Sequence, residues 1–292
     1  MGESSTFNCS GSSFRFLSVA NKMPLFYFCK SVKLNLMDLI FLKIGGSLIT
    51  KRKPYTLNHK KIKELAKEIT TLRKKYKFKI LIGNGAGSFA HVSAKKFKTK
   101  EGYINEKSKI GHCIVQDDAS TLNRILVKEL IKAGERAISV QPSAFIFCSK
   151  RKIKSFFLEP IKNYLKNDLV PVIFGDVISD EKLGCTILST EEIFKFLAKF
   201  LKPKKIILMS NVEGVYDSMK RVIPEINREN FWKIQKFLKG ANKIDVTGGM
   251  AHKVKEAMEM AKEGIEVFII GGKKGNLEKC IKGEKVGTKI SF

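Results

Sequence analysis

Three glycine-bearing turns hold the residues with chemistry to offer. In the first, Lys43-Ile44-Gly45-Gly46-Ser47, a lysine stands beside two glycines and a serine. Glycine lets backbone N–H groups approach an anion closely, and an ammonium at the end of the preceding run can sit beside the same anion. By itself a Gly-Gly pair is also an ordinary tight turn. The second turn is Asn84-Gly85-Ala86-Gly87-Ser88-Phe89-Ala90-His91. It opens a segment of helical pattern ending near Phe97, and a helix start preceded by glycines is an anion site. His91 falls in the first helical turn, within reach of an anion held by the loop. The nucleotide-binding P-loop pattern is absent, and Ser88 stands where a dinucleotide fingerprint has its third glycine. The third turn, Asp245-Val246-Thr247-Gly248-Gly249-Met250, is followed by Lys253 one helical turn on. Together these turns point to phosphate chemistry carried by backbone amides and ammonium groups. His59, His112 and His252 lack such a setting and read as surface or structural residues.

The elements that must position these turns are legible around them. Leu39-Ile40-Phe41-Leu42 is a continuous apolar run, as a strand buried on both faces requires. Ile62, Leu65, Ile69 and Leu72 recur at helical spacing, and Ile80-Leu81-Ile82 is a second buried strand. This is a β-α-β unit with a right-handed crossover. The grammar repeats: a helix face at Ala119, Leu122, Leu126 and Leu130, then strands over 137–140 and 170–174. A hairpin follows over 177–188, with Asp180 or Gly184 near its turn, and a helix over 190–201. After that come a strand at 206–209, a helix face at Val254, Ala257, Met258 and Ala261, and a last central strand at 267–270. Alternation of this kind predicts an α/β fold with an open, mostly parallel sheet sandwiched by helices. In such sheets ligands bind outside the carboxyl ends of the strands, where the glycine turns fall.

Composition narrows the class. The chain has 292 residues, 43% of them hydrophobic, which is globular rather than disordered. Lys and Arg number 55 against 28 Asp and Glu, a formal charge of +27. That sign draws anions, yet the lysines are spread along the whole chain, and no basic run interleaved with aromatics marks a nucleic-acid groove. The six cysteines include no C-x-x-C pair, so free thiols in a reducing, cytoplasmic setting are expected. No apolar stretch is long enough to cross a membrane. Residues 1–36 break the pattern: they are Ser- and Phe-rich, with Glu3 as their only acid. They read either as a transit peptide or as sequence ahead of a start at Met37, and they stand outside the fold argument.

At this point the chain resembles the amino acid kinase fold, and within it the isopentenyl phosphate kinases. The resemblance runs from about Leu39 to the C-terminus. Its motifs are Lys43 to Thr50, Asn84 to His91, Gly175-Asp176-Val177, Asn211 to Asp217, Asp245 to Met250 with Lys253, and Val286 to Ile290. The segment Gly87-Ser88-Phe89-Ala90-His91 is the most specific to that branch. The resemblance implies an acceptor-binding lobe over about 37–188 and an ATP-binding lobe over about 189–292. It implies that Lys43 and the turn Gly45-Gly46-Ser47 hold the ATP phosphates, with Gly87 on the other side. Gly249 and Lys253 hold ATP from their own turn, while Asn211, Gly214 and Tyr216 border the adenosine. Ala86, His91 and Gly175 line the acceptor phosphate, Mg²⁺ accompanies ATP, and no dedicated protein metal site is implied. A homodimer is the usual assembly, with no specific nucleic acid and no membrane as partner.

Departures from the pattern accompany it. Arg52, between Lys51 and Lys53, stands where a lysine aimed at the transferred phosphoryl group is usual, and arginine keeps the charge but not the geometry. Asn84 replaces a histidine, Ala86 and Ala90 replace glycines, and Glu191 replaces an aspartate that orients the lysines. Alternative acceptors within the fold are a phosphonate, a nucleoside monophosphate or an amino acid. An alternative outside catalysis is an anion- or nucleic-acid-binding protein.

Overall fold

The apolar run that opens at Leu39 forms a strand buried along its whole length, with Lys43 as its single charged residue. The computed structural model describes residues 38–240 and 249–292. The N-terminal segment 1–36 and the part of the third glycine turn from Asp245 to Gly248 lie outside the described residues. In chain order the elements are β1 (Leu39–Ile44), α1 (Gly46–Ile49), α2 (His59–Tyr76), β2 (Lys79–Asn84), α3 (Gly87–Phe97), α4 (Glu106–Lys132) and β3 (Ala137–Ser139). A hairpin of β4 (Ile146–Ser149) and β5 (Lys152–Phe156) follows, then α5 (Glu159–Lys166), β6 (Val170–Phe174), β7 (Asp176–Asp180), β8 (Gly184–Leu188) and α6 (Thr190–Leu201). The remainder is β9 (Lys205–Ser210), β10 (Glu225–Ile226), α7 (Phe231–Gly240), α8 (Gly249–Ala261), β11 (Glu266–Gly271), α9 (Asn276–Lys282) and β12 (Thr288–Ile290).

The main sheet has the order β10-β12-β11-β9-β1-β2-β6-β3. Its pairs are parallel except β11 with β12. The open, mostly parallel sheet read from the sequence is therefore present. The run at 267–270 is a central strand, as read, with β9 parallel on one side and β12 returning antiparallel on the other. The 177–188 hairpin forms as β7 and β8, in a second sheet of order β5-β4-β7-β8.

Strand parity decides which side of the main sheet each side chain serves, because successive residues point to opposite faces. Leu39 and Phe41 of β1 join Leu81, Ile173, Ile206 and Leu208 in the core against α6 and α8. Ile40, Leu42 and Ile44 join Ile80, Ile82, Val172 and Ile207 in the core against α2 and α4. Lys43 shares parity with Phe41 and so belongs to the α6 face, whereas Asn84 shares parity with Ile82 and belongs to the α4 face. No described helix is long and apolar enough to cross a membrane.

Candidate active site

At the carboxyl end of β1, parity aims Lys43 toward the start of α6. There its Nζ forms an ion pair with Glu191, and each side chain is only 9% exposed. The start of α6 is fixed by a reciprocal cap: Ser189 Oγ accepts from the Glu192 amide, and Glu192 Oε2 accepts from the Ser189 amide at 2.7 Å. Burial pushes the Glu191 carboxyl up, but the charge and hydrogen bond of Lys43 outweigh it and hold the group below the usual carboxylate range. The aspartate-to-glutamate departure thus reaches Lys43 with its longer arm.

The first two glycine turns lie against each other. A Cβ on Gly46 would stand 2.2 Å from the Gly87 amide nitrogen and 3.0 Å from the Gly85 carbonyl oxygen. Gly87 itself has φ +55, and a Cβ there would meet Thr50 Oγ1 at 2.5 Å. Both positions need glycine, one for close approach and one also for its backbone angle. Thr50 joins the two turns: its hydroxyl donates to Gly46 O at 2.9 Å and accepts from the Ser88 amide at 3.0 Å. The amides of Gly46, Ser47, Ala86 and Gly87 donate to no carbonyl among the described residues. Gly45 is different, since its amide already donates to Met209 O at 2.9 Å. In this structure that bond anchors Gly45 to β9, and the amides of Gly46 and Ser47 remain directed away from the described backbone acceptors.

His91 lies on the exposed side of α3's first turn, beside an open cavity of about 530 Å³ that Val92, Lys95 and Lys96 also line. Crowding by surrounding protein, and then the charge of Lys43, lower its pKa below the ordinary histidine value. Gly175 abuts the start of α6, where a Cβ would meet the Thr190 amide nitrogen at 3.3 Å. Across the sheet, Ser210 of β9 has the parity of Leu208 and receives a hydrogen bond from Lys253 Nζ of α8 at 3.4 Å. Gly249 opens α8. Gly214 is packed against Val222 and Thr288, and Tyr216 Oη accepts from the Glu213 amide at 3.3 Å. Asn211 is exposed.

Lys51, Arg52 and Lys53 sit on an exposed loop after Thr50. Arg52 is exposed there, and it is not among the residues whose hydrogen bonds hold the loop. The loop is held at Tyr55, whose hydroxyl donates to Asp118 Oδ2 at 3.0 Å and whose ring meets Phe89 edge-on at 5.5 Å. The sequence motif contains Thr50 without pointing to this role; a hydroxyl directly after Leu48-Ile49 is its only signal. Among the described residues no cluster of three or more His, Cys, Asp or Glu is gathered for a metal.

Two contiguous glycine turns with a buried lysine at their seam thus lie together at the carboxyl ends of parallel strands. The amino acid kinase family model matches residues 38–271, and the chain belongs to that family. Among its relatives, the isopentenyl phosphate kinase of Methanocaldococcus jannaschii is 35% identical over 265 residues, spanning 87% of this chain and 99% of that protein. That of Methanothermobacter thermautotrophicus is 31% identical over 266 residues, with coverage of 87% and 99%. A solved isopentenyl phosphate kinase structure matches with a TM-score of 0.73 at 28% identity, covering 86% of this chain and all of that one.

Proposed function

We propose that this kinase transfers the terminal phosphoryl group of ATP to isopentenyl phosphate, giving isopentenyl diphosphate and ADP. The observation that carries the reading is the backbone contact between Gly46 and Gly87. It seats two anion cradles side by side, one with Lys43 and one with His91. A kinase whose acceptor is itself a phosphate needs such a pair of cradles.

In the reaction an oxygen of the acceptor phosphate bonds to the γ-phosphorus as the bond from that phosphorus to the β,γ-bridging oxygen breaks. The electron pair leaves with ADP. The acceptor oxygen is anionic near neutral pH, so no general base is required. Catalysis rests on positioning and charge stabilisation. Lys43 and the free Gly46 and Ser47 amides fit the donor phosphates. Lys253 approaches from α8, on the face of the sheet that Lys43 serves. Ala86, Gly87 and His91 fit the acceptor phosphate, with His91 as a hydrogen-bond donor. Mg²⁺ would offset the charge of the β- and γ-phosphates, and such an ion is commonly held by substrate phosphates and water rather than by a protein cage.

The test is a ³¹P NMR assay of purified protein with ATP, Mg²⁺ and isopentenyl phosphate. Isopentenyl diphosphate and ADP forming one for one are expected. Turnover confined to a carboxylate or nucleoside monophosphate acceptor would overturn the reading.

A further inference from the structure

A polar chain crosses the apolar interior beneath the second glycine turn. Asn84, the last residue of β2, and Asn123, in the middle of α4, are both fully buried. Their flanking residues Ile82, Leu122 and Leu126 belong to one apolar cluster. A helix face built only for burial would carry leucine at position 123. Instead Asn123 Nδ2 donates to Asn84 Oδ1 at 2.9 Å and lies 3.3 Å from Val172 O. Asn123 Oδ1 accepts from Ser139 Oγ at 2.6 Å. Buried amides persist only when bonded in this way, and a bonded network then fixes its members in one arrangement.

What the network fixes is the entry to the acceptor cradle. The Asn84 carbonyl accepts from Thr190 Oγ1 at 2.8 Å, and Thr190 directly precedes Glu191, the partner of Lys43. The next amide, of Gly85, donates to the carbonyl of Ile44 at 3.0 Å, directly after Lys43. The Asn84–Gly85 peptide is therefore tied to the Lys43–Glu191 pair by its backbone and to α4 by the Asn84 side chain. Sheet and helix hydrogen bonds would survive without the side-chain tie, so folding alone does not account for it.

We propose that Asn123, acting through Asn84, is a positioning residue for the acceptor phosphate. It sets where the Ala86 and Gly87 amides and His91 stand relative to the Lys43–Glu191 pair. The proposal rests on the acceptor reading given above. Ser139 holds the Asn123 amide in the orientation that donates to Asn84.

The experiment compares wild type with Asn123→Leu, Ser139→Ala and Ser139→Thr by steady-state kinetics in isopentenyl phosphate and in ATP, with denaturation midpoints on the same samples. Asn123→Leu keeps the branching of the side chain, though leucine is bulkier, and removes the tie. It is expected to raise the acceptor KM about ten-fold and to lower kcat, with the ATP KM within about two-fold. Ser139→Ala shifts the same constants in the same direction by less, and Ser139→Thr, which keeps the hydroxyl, restores them. Ser139 is only partly buried, so its variants decide the matter if Asn123→Leu does not fold. Variants that lose stability but keep the acceptor KM, or that raise both KM values alike, overturn the proposal. A wild type that ignores isopentenyl phosphate but phosphorylates another acceptor overturns the substrate reading alone. The same comparison is then read with that acceptor.

Discussion

Glu191→Gln isolates the carboxylate that pairs with Lys43. Lys43 and Glu191 are each 9% exposed and pair with each other. Taking away one partner strands an ammonium in a site that water barely reaches, which typically costs about 3–5 kcal/mol. Glutamine keeps the shape and one acceptor oxygen, so the lower end, about 3 kcal/mol, is expected. In a fold of this size each kcal/mol moves the melting midpoint by about 2–4 °C, so a fall of about 6–12 °C should appear by calorimetry. Two controls separate charge from packing. Lys43→Met with Glu191→Leu removes both charges and should recover most of the lost stability while abolishing turnover. ATP should stabilise Glu191→Gln more than wild type, because its phosphates supply the missing anion. The pH dependence follows in sign. The Glu191 carboxyl is depressed in the folded state from an ordinary value of 4.5. Its contribution is thus full above that value and fades as pH falls through the folded one, so wild type and variant converge in acid. A Glu191→Gln protein as stable as wild type at neutral pH, or a double variant as unstable as the single, would refute this reasoning.

Three further outcomes are expected. His91→Ala should lower kcat/KM for the acceptor by about ten- to a hundred-fold, the loss of one charge-assisted hydrogen bond, with His91→Asn keeping part of it and the ATP KM unchanged in both. Crowding and the charge of Lys43 hold the free ring below its usual pKa, and a bound phosphate acts in the opposite direction by favouring the charged ring. The ratio of wild type to variant should therefore grow from about pH 8 to about pH 6, and a flat ratio would count against the role. Gly46→Ala places a Cβ 2.2 Å from the Gly87 amide nitrogen, which parts the two turns. Turnover should fall about a hundred-fold with about 1–3 kcal/mol lost in urea unfolding, and an unchanged kcat would show that the turns do not act as a unit. Iodoacetamide near pH 7.5 should label Cys113, the exposed thiol among the described cysteines, by peptide mass spectrometry. Burial raises Cys148 and Cys185 to about 11 and Cys280 to about 12, so these should react only on unfolding.

The strands that were legible in the sequence were those buried on both faces, since a run such as Leu39 to Leu42 has no other soluble use. The helix read over 190–201 forms at those bounds, and its start is fixed by the reciprocal cap of Ser189 and Glu192. The β4–β5 hairpin was not, and the reason is tertiary. Its turn places Lys150 and Arg151 at φ 50 and 64 with no glycine to announce them. Both amides donate to the Asp180 carboxylate, which arrives from a different hairpin. β12 spans only three residues and takes its place by pairing with β11. The site divided similarly. Gly46, Gly87 and Lys43 announced phosphate chemistry by type and spacing. The pairing of Lys43 with Glu191 spans 148 positions, and only the family resemblance pointed to it. Asn123 did leave a trace, a polar residue four positions after Ala119 on an apolar stripe, but a stripe alone does not say what a buried amide will meet.

The arrangement also bears on which parts of the cleft side-chain changes can replace. Two polyanions must come within bonding distance of each other, so attraction alone is insufficient; their separation must be held. A lysine on a flexible stem supplies charge but little geometry. The separation is set instead by Gly46 against Gly87, backbone to backbone, closed by Thr50 and by the Gly85-to-Ile44 hydrogen bond. Glu191 holds Lys43 at that seam before substrate arrives, which spares the reaction the reorganisation a free ammonium would need. Replacing Lys253 or His91 therefore scales the rate of a cleft whose shape persists, whereas replacing Lys43 also strands the buried Glu191 carboxylate. A Cβ at Gly46 or Gly87 alters the distance between donor and acceptor cradles, and added charge elsewhere cannot restore it.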